Sequence, residues 1–233
     1  MYNGKTFLAI IPARSGSKGI KNKNIKMLNG KPLLSYTIKA ALDSGIFDDI
    51  FVSTDSKEYA EIAIQYGASV PFLRPVNIAG DNSFAKDYIL HAIQSYKFIG
   101  KSFDYIAVLQ PTSPLRTGVD IRNAAALLSD NSCDSVVSIC QTDYSPLLCN
   151  VLPEDNSLYN FIPEKNNKNR QMLSIYYRIN GAIYLINSDV YLNTKNFYGK
   201  KSKAYIMEKE RSIDIDDELQ FKFAEFLLEE ISN

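Results

Sequence analysis

No acidic residue occurs between Met1 and Leu42, and the first carboxylate is Asp43. The same stretch holds eight basic residues: Lys5, Arg14, Lys18, Lys21, Lys23, Lys26, Lys31 and Lys39. Over the 233 residues the charges balance, 26 basic against 26 acidic. That balance excludes a general nucleic-acid coat. A balanced chain with one wholly basic end points to a local anion site, although a solvated lysine-rich face is the commoner origin of a charge run. Histidine is nearly absent. His91 is the only one, it sits in the helical pattern "AKDYILHAIQSY", and no nucleophile motif accompanies it, which argues against a Ser-His-Asp hydrolase. Cys133, Cys140 and Cys149 are odd in number and lack C-x-x-C spacing. They fit reduced thiols in a cytoplasmic protein better than disulfides or a zinc site. Long apolar runs are missing too: "FLAII" is too short for a signal-peptide core or a membrane span, so no membrane partner is expected.

What is present alternates strand with helix. "TFLAII" reads as a buried strand. "PLLSYTIKAALDSG" reads as a helix from Pro32 to Gly45 whose apolar face includes Leu33, Ile38, Ala41 and Leu42. "IFVST" is the next strand, then "DSKEYAEIAIQYG" a helix with Asp55 and Glu58 at capping-box spacing and Gly67 as its stop. "SVPFLRP" reads as a short strand, "SFAKDYILHAIQSY" as a helix, "YIAVLQ" as a strand, "GVDIRNAAALLSD" as a helix and "SVVSIC" as a strand. "GAIYLI", "AYIM" and "DELQFKFAEFLLEE" supply two more strands and a final helix. This order predicts an α/β, Rossmann-like, mostly parallel sheet with helices on both faces. The core spans 1–141 and 179–233. Between them, 142–178 is loop-like, with Pro146, Pro153, Pro163 and the polar run "PEKNNKNRQ". A loop of that length suits an excursion with a hairpin or two, serving as a dimerisation arm.

Ligands of such sheets bind at the carboxyl ends of the strands, which here carry "PARSGSKG", "TDS", "LRPVNIAGDNS" and "QPTSPLR". The first loop is neither a P-loop nor a Rossmann fingerprint. Its Gly16 and Gly19 allow close backbone approach to phosphate, Arg14 can bind phosphate bidentately, and Lys18 and Lys23 act as point charges. Gln110 ends a buried strand with its amide toward the cleft, and Thr112, Ser113 and Arg116 add hydroxyls and a cation. In "RSIDIDDE", inward Ile213 and Ile215 would turn Asp214 and Asp216 together to the other face. That is a pair able to hold magnesium beside a polyphosphate. Asp217 and Glu218 suit helix capping instead. Arg170 and Arg178 could meet a substrate carboxylate or form structural ion pairs.

Taken together, "IIPARSGSKGIKNKNIKMLNGKPLL", "VSTDS", "LRPVNIAGDNS", "LQPTSPLR", "RQ…YRINGAIY" and "SIDIDDE" resemble the acylneuraminate cytidylyltransferases, the CMP-sialic acid synthetases and their CMP-legionaminate-type relatives. The match runs in family order from residue 8 to 218. The resemblance implies a sheet of the nucleotide-diphospho-sugar transferase type. It also implies a reaction in which CTP and a nonulosonic acid give the CMP-sugar and pyrophosphate, with Mg2+ (Mn2+ may substitute) as cofactor. By this resemblance Arg14, Lys18 and Lys23 would hold the triphosphate in the loop that includes Ser15 and Gly16. Asn24 would contact the ribose. Arg74, the backbone of Ala79, and Ser83 would read the cytosine and its surroundings. Gln110, Arg170, Arg178 and Tyr184 would meet the nonulosonate, Phe197 and Tyr198 would line its pocket, and Asp214 and Asp216 would bind the metal. Relatives use the excursion across a homodimer.

The chain departs from the family at Ser174, where proline is common after the R-Q pair, and at Phe197–Tyr198, often Phe–Phe. Both lie on the sugar side, so sialic, legionaminic and pseudaminic acids all stay open. A ketodeoxyoctonate substrate ranks lower. Other readings of the same residues are a nucleotidyltransferase for a sugar 1-phosphate using GTP, a glycosyltransferase with "DID" as its D-x-D, and a silent nucleotide-binding protein.

Overall fold

The computed structural model describes residues 1–129 and 132–232. Its elements in chain order are β1 (Phe7–Pro12), β2 (Met27–Leu28), β3 (Lys31–Pro32), α1 (Leu33–Ser44), β4 (Asp49–Ser53), α2 (Lys57–Gln65), α3 (Ala85–Phe98), β5 (Tyr105–Val108), α4 (Gly118–Ala126), β6 (Ser135–Gln141), β7 (Tyr177–Asn187), α5 (Ser188–Thr194), β8 (Ser202–Ile206) and α6 (Glu218–Ser232). The main sheet has the order β4-β1-β5-β7-β6-β8. β1 runs parallel to β4 and β5, and β6 runs parallel to β8. β7 is antiparallel to both of its neighbours. The sheet is therefore mostly parallel, as the strand–helix rhythm predicts.

β1 shows why the sheet is covered twice. Phe7, Ala9 and Ile11 pack with Leu34 and Ile38 of α1, Tyr59 of α2 and Ile121 of α4. Leu8 and Ile10, on the other face, pack with Tyr88, Ile89 and Tyr96 of α3 and Tyr191 of α5. Successive strand residues alternate faces, so a run apolar at every position needs helices on both sides. A third cluster joins Ile20, Leu28 and Leu33 to Ile215, Phe221 and Ala224, which docks α6 beside the basic loop.

Several local expectations change. Leu42 lies on the exposed side of α1, and Leu34 takes its place in the core. The cap of α2 is Ser56, whose Oγ accepts from Tyr59 N–H at 3.4 Å, and Asp55 is used elsewhere. "SVPFLRP" forms no strand. It makes one bridge, Phe51 to Ser69, and Pro71 has no N–H with which to extend a ladder. The excursion holds no hairpin among the described residues. It contains three short 3-10 turns, Pro146–Leu148, Glu164–Asn166 and Arg170–Met172, and β7 resumes at Tyr177. All three cysteines are free, with Cys133 and Cys140 buried. No described helix is long and apolar enough to cross a membrane.

Candidate functional site

A cavity of about 520 Å³ opens where β1 and β5 end. Arg14, Lys18 and Lys23 line one wall, and Asp214 and Asp216 line another. The basic wall is built from backbone outward. Asn24 is buried and its amide donates to the Arg14 carbonyl at 3.0 Å, fixing the start of the loop. Asn22, in the left-handed region, turns the chain into a 3-10 turn that begins at Lys23. Lys23 Nζ donates to the Ile215 carbonyl at 2.6 Å and lies 3.7 Å from Asp216 Oδ1. A Cβ on Gly19 would sit 2.5 Å from the Asp216 carbonyl oxygen. Only glycine lets the basic loop and the acidic segment approach so closely.

The acidic segment is extended rather than a strand. Ile215 is buried, and its N–H donates to the Thr112 carbonyl at 2.8 Å, while Ile213 is partly covered. Burial raises the Asp214 carboxyl above the ordinary value. The Thr112 hydrogen bond, Lys23 and Arg178 oppose the shift, and the Asp216 charge adds to it. Two carboxylates that feel each other across a cavity rim are a donor set that a hard dication would satisfy. Among the described residues no group of three acidic, histidine or cysteine side chains forms a metal cluster. A cation held here would take its other ligands from phosphate oxygens and water.

Arg74 and Ser83 also line the cavity. Arg74 is buried, donates from Nε to Ser53 Oγ at 3.0 Å and from Nη2 to the Ser53 carbonyl at 2.7 Å, and stacks 4.8 Å above the Tyr88 ring centroid. Burial pulls its pKa down, partly offset by Tyr88 and Asp55. Three expected nucleotide contacts are not on the cavity wall. Ser15 donates from N–H and Oγ to Asp55 at 2.9 and 2.7 Å. Gly16 lies beside the Arg14 guanidinium. Ala79 is buried, and its N–H donates to the Val76 carbonyl at 3.1 Å.

Of the residues expected on the sugar side, Gln110 lines the cavity, and Arg178, Tyr184, Phe197 and Tyr198 are not on its wall. The position of Gly181 is decided by that glutamine: a Cβ there would lie 2.5 Å from Gln110 Oε1 and 3.2 Å from Asp214 Oδ2, and its φ is +75°. Tyr184 packs edge-on to Phe197 with centroids 5.4 Å apart, and Phe197 also meets Tyr191. Tyr184 and Tyr198 share a hydrogen bond, and burial raises both phenols. Arg178 Nη2 donates to the Ser212 carbonyl at 2.9 Å while its charge reaches Asp214. The Arg170 side chain lies outside the described residues. Arg116 and Ser113 do not face the cleft. Both are buried, with Arg116 bonded to the Gln110 and Ala182 carbonyls and Ser113 to the Asn180 carbonyl.

Sequence reasoning passed over Asp81, Tyr88 and Gly181. Asp81 bonds both Arg14 and Lys18. A lone acid in "AGDNS" carries no spacing that would single it out, whereas a glycine inside the strand pattern "YRINGAIYLI" does hint at Gly181.

A family model for cytidylyltransferases matches residues 8–232. The chain belongs to the cytidylyltransferase family. It is 43% identical over 220 residues to an N-acylneuraminate cytidylyltransferase of Escherichia coli O18:K1:H7, covering 93% of this chain and 51% of that protein. This family member thus spans about half the length of that relative. It is 37% identical over 229 residues to the CMP-N,N'-diacetyllegionaminic acid synthase of Legionella pneumophila, covering 95% of this chain and 96% of the relative. Its fold matches the structure of CMP:2-keto-3-deoxy-manno-octonic acid synthetase complexed with CTP, with a TM-score of 0.71 at 14% identity, over 97% of this chain and 99% of the other.

Proposed function

We propose that this family member uses CTP to activate a nonulosonic acid, giving a CMP-sugar and pyrophosphate. The carrying observation is that Arg14, Lys18 and Lys23 share one cavity with the paired carboxylates Asp214 and Asp216. The sugar's anomeric hydroxyl would attack the α-phosphorus in line as the bond to pyrophosphate breaks. The chain's own work is to position the two substrates and to neutralise charge. Arg14 and the lysines hold phosphate oxygens, Arg74 and Ser83 lie at the base side, and Gln110 and Tyr184 flank the acceptor. Asp214 and Asp216 would hold magnesium, or manganese in its place, which would offset charge on the phosphates. The names of the Escherichia and Legionella relatives support a nine-carbon keto acid as acceptor.

The same reading makes the protein a cytoplasmic homodimer joined through 142–178, where Val151 and Tyr159 are 86% and 87% exposed. The test measures pyrophosphate release from CTP and GTP with N-acetylneuraminate, legionaminate, pseudaminate and a hexosamine 1-phosphate. CTP with at least one nonulosonate is expected to turn over. Turnover of GTP with the sugar phosphate, and none with CTP and any nonulosonate, would sink the reading.

A further inference from the structure

All three cations on the basic wall already face a carboxylate, and two of them share one. Arg14 Nη1 lies 2.8 Å from Asp81 Oδ1, and Lys18 Nζ lies 2.7 Å from Asp81 Oδ2. A single carboxylate thus uses each oxygen on a different cation, as two oxygens of a phosphate group would. The partners reach it from separate parts of the chain. Arg14 and Lys18 follow β1, whereas Asp81 lies in the segment that leads into α3, and all three line the cavity. Lys23 is held apart, by the Ile215 carbonyl and Asp216. A polyanion that takes the Arg14 Nη1 and Lys18 Nζ donors now on Asp81 displaces that carboxylate. A ligand without phosphate need not.

We propose that Asp81 is an anion placeholder, which holds Arg14 and Lys18 until the triphosphate arrives and takes them back as pyrophosphate leaves. The proposal rests on the reading of Arg14 and Lys18 as phosphate contacts. Its effect falls on one class of ligand. Competition from Asp81 weakens the hold on every polyphosphate by the same factor and leaves nucleoside binding alone. It also speeds product departure, because the cations that release pyrophosphate gain a carboxylate at once. Exposure limits the size of the effect: the Asp81 side chain is 40% exposed and Lys18 78%, so solvent and salt screen the pair.

The experiment titrates wild type, Asp81→Asn and Arg14→Ala with inorganic pyrophosphate and with cytidine by calorimetry, magnesium in excess. In Asp81→Asn, pyrophosphate is expected to bind on the order of fivefold more tightly, with cytidine affinity unchanged. Product inhibition by pyrophosphate deepens in parallel. Unchanged or weaker pyrophosphate binding in Asp81→Asn overturns the proposal, and so does an equal shift for cytidine, which would mark a loop tie. Arg14→Ala is the control on the underlying reading. If it binds pyrophosphate as wild type does, the phosphate assignment itself fails, whatever Asp81→Asn shows.

Discussion

A methyl group at position 181 would press on Gln110 and Asp214 together, at 2.5 and 3.2 Å. The backbone there is also left-handed, so Gly181→Ala should cost about 1–3 kcal/mol of stability. It should also weaken acceptor and metal use together, seen as a lower Tm and higher apparent constants for both sugar and magnesium. Asp216 makes the opposite case. Its side chain is 77% exposed and its ion pair with Lys23 is long, at 3.7 Å. Asp216→Ala should therefore leave Tm within a degree or two of wild type, on the order of 0.5 kcal/mol or less, while most magnesium-dependent turnover disappears. Retained turnover would remove Asp216 from the metal site. At this scale the place of Arg14, Lys18 and Lys23 on the cavity was legible because the loop follows the carboxyl end of a strand, where such sheets open their clefts. Asp81 was not, since its meaning comes from a partner loop more than 60 positions away in the chain.

Between elements, Arg116 is the clearest tie. Its Nη1 donates to the Ala182 carbonyl at 2.8 Å and to the Gln110 carbonyl at 3.3 Å, joining the turn after β5 to the middle of β7. Burial pushes its pKa down to about 9, and the Asp120 charge opposes that shift. Removing it strands two carbonyls and leaves a cavity, so Arg116→Ala should lower the unfolding free energy by about 3 kcal/mol, read from urea denaturation. The sequence offered this arginine to the cleft. Residue type could not decide its direction, which the Gln110 and Ala182 carbonyls hold inward. A second tie links the basic loop to the segment after β4. Burial alone would raise Asp55, but the Ser15 hydroxyl and N–H bring its pKa below the ordinary carboxyl value of 3.8. The charged form is thus the one the fold favours. Its stabilisation is present above pH 3.8 and is lost as pH falls through the lower folded value. The stability gap between wild type and Asp55→Asn should stay constant from neutral pH to about 4 and shrink below it. A gap that widens with acid would contradict the assignment.

For the whole molecule, alternation of strand and helix was enough to anticipate the sheet and both helical layers, because apolar strands such as β1 demand two covers. Pattern failed in 142–176, where polar residues and prolines give neither a period of two nor of 3.6. Its apolar side chains, Val151, Leu158 and Tyr159, point outward, so their packing, if the dimer forms, is decided by a second copy. Replacing Val151 and Tyr159 by lysine should shift sedimentation from dimer to monomer without lowering Tm. A wild type that sediments as a monomer would refute the dimer.

The reversed direction of β7 has a practical corollary. β6 and β7 are sheet neighbours, and just beyond them the Thr142 N–H donates to the Tyr176 carbonyl at 2.9 Å. The arm is a handle clipped shut at its base. Its interior could be excised and a two-residue Asn-Gly turn put in its place, which would leave an ordinary β-hairpin. A body so trimmed would keep its cavity and an attachment point on the same edge of the sheet, and it would lose Arg170 together with the rest of the arm.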